Sequence, residues 1–254
     1  KGPRICSSIQ PLPKVVSLDR YLKKGDAPAL AAAGANHSVL LTKEGRLFRW
    51  GVEDGDIYPF PAAICTQIPL PCVEVCCGRK HTMALMKGGE WFSRTGSYVM
   101  TWGTGYFGQL GHGDNVSYRH PRLLRRLDPQ RLGERVIQVA CGGYHSAVVT
   151  DAGRVFSWGF NRYGQCGNGS KDNTVPEPVL VNLSNVPPGR VGEAPKVVCG
   201  RHHSALVTSW GALYSWGACG FGKLGLQDQG KTVCTPREVN FFRDRPLLTA
   251  AAGE

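Results

Sequence analysis

A chain of 254 residues is long enough for a large core, but none of its stretches reaches the roughly 18 consecutive apolar residues that a spanning helix needs, so no transmembrane segment is expected. Its formal net charge of +11 points to an anionic partner (nucleic acid, an acidic protein face or an anionic lipid surface) and does not choose among them. Ten cysteines in no regular framework argue for a reducing setting, cytoplasmic or nuclear, rather than a disulfide scaffold, and 33 glycines suit a β protein rich in turns.

In chain order, residues 1–29 make sense only beside later text. Pro13-Lys-Val-Val-Ser-Leu18 matches Pro121-Arg-Leu-Leu-Arg-Arg-Leu127, Pro178-Val-Leu-Val-Asn-Leu183 and Pro236-Arg-Glu-Val-Asn-Phe241. Each is a Pro at a strand edge leading a short apolar run, so residues 1–29 read as the tail of a preceding repeat. Residues 30–76 hold the first full copy, AGANHSVLLTKEGRLFRWG, with His37 and Trp50 as anchors. Its continuation, Gly51-Val-Glu-Asp-Gly-Asp-Ile-Tyr-Pro59, predicts a shortened outer loop in which Glu53, Asp54 and Asp56 form a solvated turn.

Residues 77–136 are the second copy, anchored by His81 and Trp102. Its His-to-Trp interval is 21 residues against 13 in the other copies, which places 8 extra residues at a hairpin tip within Met86–Met100. Residues 137–194 are the clearest copy, with strands predicted over 137–141, 145–150 and 154–158 and a tight Asp151-Ala-Gly153 turn. Its anchors are His145 and Trp158; those of the fourth copy, residues 195–247, are His203 and Trp216. Residues 248–254 read as the opening of a further repeat, so the chain is expected to be an internal piece of a longer array. Self-similarity at a period near 44 to 64 residues signals a propeller or solenoid.

The motifs that could carry chemistry point to architecture instead. Cys77, Cys141 and Cys199 share a repeat position with Ala33 and Ala252, which asks for a small apolar side chain, and there is no Cys-x-x-Cys to hold zinc. The recurring His-Ser pair puts neighbouring side chains on opposite faces of a strand, so it is no catalytic dyad. Gly103-Thr-Gly-Tyr-Phe-Gly108 fits a dinucleotide fingerprint but lacks a following helix. No cofactor, metal or catalytic residue is assigned. Two stretches remain as candidate partner-binding sites: Trp91, Phe92, Arg94 and Tyr98 in the insertion, and the basic run Arg119, Arg122, Arg125 and Arg126.

The small-Gly-x-x-His opening, the hairpin, the aromatic-x-Trp-Gly close, the following Gly-x-x-Gly and the later Pro together resemble the regulator of chromosome condensation repeat family, over essentially all of 1–254. The resemblance implies an all-β fold: a partial β-propeller of about four blades out of seven, each a four-stranded antiparallel sheet. It makes His37, His81, His145, His203 and the four anchor tryptophans repeat-structural residues. Three functions follow as expectations: a protein-interaction scaffold within a larger regulatory protein, a guanine nucleotide exchange factor for a small GTPase, or chromatin or nucleic-acid binding through the basic surface. At most, exchange activity would make it an enzyme.

Overall fold

The computed structural model describes residues 16, 18, 20–53, 55–66, 70–88, 96–188, 193–226 and 232–253. Four antiparallel sheets of four strands follow one another along the chain. The first contains β1 (Pro28–Ala33), β2 (His37–Thr42), β3 (Leu47–Glu53) and β4 (Asp56–Ala63). The second contains β5 (Cys72–Cys77), β6 (His81–Lys87), β7 (Ser97–Gly103) and β8 (Tyr118–Leu123). The third contains β9 (Val136–Cys141), β10 (His145–Thr150), β11 (Val155–Phe160) and β12 (Thr174–Leu180). The fourth contains β13 (Lys196–Cys199), β14 (His203–Val207), β15 (Leu213–Gly217) and β16 (Val233–Glu238). Each sheet is a simple up-and-down meander, and the three strands predicted in the third lie within two residues of their observed bounds. Helix among the described residues amounts to the single turn Pro129–Leu132 and three short 3-10 turns.

Neighbouring sheets stack face to face, with cores between them. Val39, Leu41 and Leu47 meet Met86, Met100 and Trp102; Met83, Leu85 and Val99 meet Val148, Phe156 and Trp158; Val149 and Val155 meet Leu206, Tyr214 and Trp216. Because both faces of an inner sheet are covered, β10 is buried at every residue, which explains its nearly unbroken apolar run. The Trp-Gly close has a geometric cause. At Trp158 the pairing between β11 and β12 slips by a bulge, and the next residue, Gly159, sits at φ +108 with the carbonyl of Tyr144 only 2.6 Å from where a Cβ would be.

The innermost strands are tied by a ladder of loop hydrogen bonds. The Ala35 amide donates to the Arg79 carbonyl (3.1 Å), Arg79 to Gly143 (3.1 Å), Gly143 to Gly200 (3.2 Å) and Arg201 to Gly253 (3.1 Å). The same step thus repeats from sheet to sheet. This is the blade-to-blade progression of a propeller, with the loops that precede each anchor histidine on one face.

Candidate interaction surface

The anchor residues form a latch between blades. At each of these anchors the ring Nε2–H faces a hydroxyl of the next sheet: His81 to Ser146 Oγ at 3.0 Å and His145 to Ser204 Oγ at 2.8 Å. Each serine in turn donates back, Ser146 to the Gln109 carbonyl and Ser204 to the Gln165 carbonyl, both at 2.9 Å. Because the serine proton is spent there, the serine accepts from the histidine, which fixes the Nε2–H tautomer. The same carbonyls accept the indole N–H groups of Trp158 and Trp216, again at 2.9 Å. Burial pushes the pKa of His145 down to about 3 and also lowers His37 and His203. The recurring His-Ser text is therefore a cross-blade pair between residues far apart in sequence.

The first junction is built differently and corrects one expectation. Its blade has no Gly-Gln-x-Gly loop, since β3 turns directly into β4 with Glu53 opposite Asp56. Glu53 is not in a solvated turn; its side chain is 2% exposed. Its Oε1 accepts from Thr82 (3.1 Å), the hydroxyl that also receives His37 Nε2 at 3.0 Å, so a carboxylate stands in for the missing carbonyl. Its Oε2 takes Arg49 Nη1 at 2.7 Å, and Arg49 also donates to Tyr58 Oη at 2.7 Å and lies 4.2 Å over that ring. Trp102 Nε1, the counterpart of the bonded indoles, has no hydrogen-bond partner. Trp50, on the first sheet, is half-buried.

On the face where the histidine-bearing loops lie, aromatic rings of three sheets form a continuous row. Phe107 meets Tyr144 at 5.3 Å and Phe160 at 5.0 Å between centroids; Tyr163 and Tyr144 meet His202 at 5.4 and 6.0 Å. Arg79 lies 5.8 Å over Tyr144. Tyr106 at 67% and Phe221 at 107% exposure project from the loops that join third to fourth strands. Sequence reading missed this row, though its signal, an aromatic just before the glycine of each Gly-Gln or Gly-Lys pair (Phe107, Tyr163, Phe221), is present in three copies.

The remaining candidates separate. Trp91, Phe92 and Arg94 lie outside the described residues. Tyr98 is corrected: it stands on β7 opposite Met86, is 7% exposed and packs in the core between the first two sheets, leaving no face for a partner. The strand simply extends β6–β7 pairing to Lys87 and Ser97, which draws Tyr98 inward. Arg119, Arg122, Arg125 and Arg126 are all exposed. Arg119 pairs with Asp56 at 3.3 Å, Arg122 with Asp114 at 3.9 Å and Arg126 with Glu177 at 3.7 Å. Cys77, Cys141 and Cys199 line, with Ala33 and Ala252, a depression of about 400 Å³ at the inner ends of the sheets. Every described cysteine is a free thiol, Cys76 Sγ lying 3.0 Å from Cys141 Sγ, and burial pushes Cys72 and Cys166 up to about 12. The described residues hold no cluster of three or more His, Cys, Asp or Glu suited to a metal, and no helix among them is long and apolar enough to cross a membrane.

Comparison with known proteins agrees with this geometry. The family model described as RCC1-like domain matches residues 7–254. The human E3 ubiquitin-protein ligase HERC2 is 31% identical over 99% of this chain, which spans 5% of that protein. Human WBSCR16 superposes with a TM-score of 0.68 at 24% identity, over 84% of this chain and 52% of that one. Prp20p of Saccharomyces cerevisiae, described with its binding properties to Gsp1p and histones, superposes with a TM-score of 0.58 at 21% identity, over 90% of this chain and 67% of its own.

Proposed function

Because the chain belongs to the RCC1-like domain family, we propose that it is a protein-interaction module, a propeller segment that works within a larger regulatory protein. The observation that carries this reading is the aromatic row. Phe107, Tyr144, Phe160, Tyr163 and His202 are held at fixed spacing by three latched sheets, with Arg79 beside them and Tyr106 and Phe221 standing proud. Tyr, Trp and Arg are the side chains enriched at binding hot spots, and a rigid frame lets them bind with little ordering cost. The repeat pairs His81–Ser146 and His145–Ser204 are spent inside the blade junctions. Free thiols throughout the described residues favour a cytoplasmic or nuclear setting.

A second reading, guanine nucleotide exchange on a small GTPase, is favoured by the fold shared with Prp20p, whose binding to Gsp1p is on record. Photo-crosslinkers placed at Tyr106 or Tyr163 of the full-length protein test the first reading. They should trap a partner protein, and Tyr106→Ala with Phe221→Ala should cut capture about tenfold or more, roughly 1.4 kcal/mol, at unchanged thermal stability. Capture that survives the double substitution would defeat it. Accelerated nucleotide release from any member of a GTPase panel would put the exchange reading first.

A further inference from the structure

The basic run is a built groove rather than a solvated loop. Leu124 and Leu127, each 1% exposed, pin the short 3-10 turn Arg125–Leu127 to the core between the second and third sheets. The intervening Arg125 and Arg126 are thereby held outward. Asp128 then caps the following helical turn, accepting from the Gln130 amide at 2.9 Å, and that turn carries Arg131. Together with Arg122 at the end of β8 these side chains border a groove of about 680 Å³, with His112 of the same blade and Glu177 of the next. Four guanidiniums thus meet two carboxylates, Glu177 in the groove and Asp114 beside Arg122. His112 adds no charge near neutral pH, since burial holds it down at about 4.

The pairing in this groove is loose. Where arginine secures the fold, the contacts are short: Arg49 to Glu53 at 2.7 Å, Arg154 to Glu134 at 2.7 Å and Arg135 to Asp151 at 2.8 Å. In the groove, Arg126 and Arg122 reach their carboxylates only at 3.7 and 3.9 Å, beyond hydrogen-bond distance, and Arg125 and Arg131 form no ion pair with a described residue. Arg122 does lie 4.3 Å over the Tyr118 ring, but none of the four forks makes a short contact with a carboxylate among the described residues. We propose that this groove binds an extended acidic peptide segment of a partner protein, whose carboxylates take the forks of Arg122, Arg125, Arg126 and Arg131 while an apolar side chain rests on Leu123.

Carboxylate fits better than a nucleic-acid backbone here. The groove is short and bounded, whereas duplex binding draws strength from many phosphate contacts along a track. The two parallel N–H donors of a guanidinium match a carboxylate as they match a phosphate, so the short length of the groove is what favours the peptide. The inference rests on the protein-interaction reading and assigns it a second contact surface with a stated partner chemistry.

Fluorescence anisotropy with a labelled decapeptide of alternating Glu and Leu tests it, beside a Lys-for-Glu version and a 20-base-pair DNA duplex. Arg125→Glu with Arg126→Glu should weaken the acidic peptide at least about tenfold, with affinity falling steeply as salt rises. Lys24→Glu with Lys171→Glu, the same change in net charge at exposed sites away from the groove, should alter it less than about threefold. Equal losses in the two variants would reduce the effect to net charge and overturn the proposal. So would absence of peptide binding, or DNA bound more tightly with the same dependence on Arg125 and Arg126. If the Tyr106 crosslinker still traps a partner while the peptide fails to bind, the groove inference alone falls.

Discussion

At the scale of the residue, Glu53 shows how one side chain repairs a missing loop. In the second and third junctions a backbone carbonyl receives the serine hydroxyl and the indole; in the first, the Glu53 carboxylate receives Thr82 and leaves Trp102 Nε1 unpaired. A carboxylate brought so deep needs a counter-ion, which Arg49 supplies from the same strand. Glu53→Ala should therefore destabilise the protein by about 3 kcal/mol or more, since it strands a buried guanidinium as well as a hydroxyl donor. Asp56→Ala, which loses only a surface pair with Arg119, should cost under about 1 kcal/mol. Urea unfolding of both variants checks this, and equal costs would place Glu53 back among solvated acids.

At the scale of the element, the loop from third to fourth strand is the part that fastens one blade to the next. Gln109 turns its side chain inward to accept the Phe107 amide (2.9 Å), which frees its carbonyl for Ser146 and Trp158. Two residues later Gly111, at φ +80, passes against the indole: a Cβ there would lie 2.7 Å from Trp158 Nε1. Gly111→Ala should thus cost about 2 kcal/mol through strain and displacement of the indole. It should also quench or shift Trp158 fluorescence, which a purely local loop effect would leave alone. Gly133, also left-handed at φ +74 but with nothing within 4 Å, is the control: Ala there should cost the strain term of about 1 kcal/mol and leave the tryptophan signal unchanged.

At the scale of the whole molecule, the described blade junctions each have a histidine at their centre, and three of the repeat histidines give the fold a response to acid. An unfolded histidine gains its proton near 6.5, whereas His145 is held down at about 3 and His37 and His203 are lowered as well. Between those values the unfolded chain binds more protons than the folded one. Stability is then complete above about pH 6.5 and declines as the pH falls, by at most about 1.4 kcal/mol per pH unit for each histidine kept neutral. Thermal melts from pH 7.5 to 4.5 should show the melting temperature dropping below pH 6.5. A flat profile to pH 5 would mean that the latches accept the imidazolium.

Strands, hairpins and the Trp-Gly close were legible in the sequence because they rest on local patterns: β-branched runs, an Asp-Ala-Gly turn, a glycine forced to positive φ by a bulge. The four-sheet order followed from repetition, since a blade that cannot cover its own faces must stack on its copies. Partnership across blades was not legible. His81 finds Ser146 across 65 residues and Glu53 finds Thr82 across 29, distances at which sequence carries no contact signal. Glu53 looked solvated because its neighbours are polar, and Tyr98 looked available because it adjoins an insertion; packing against the next sheet, or extension of β7, decided otherwise. The charge of the arginine run was plain from the residues alone, but only the buried Leu124 and Leu127 on either side turned it into a groove with oriented forks.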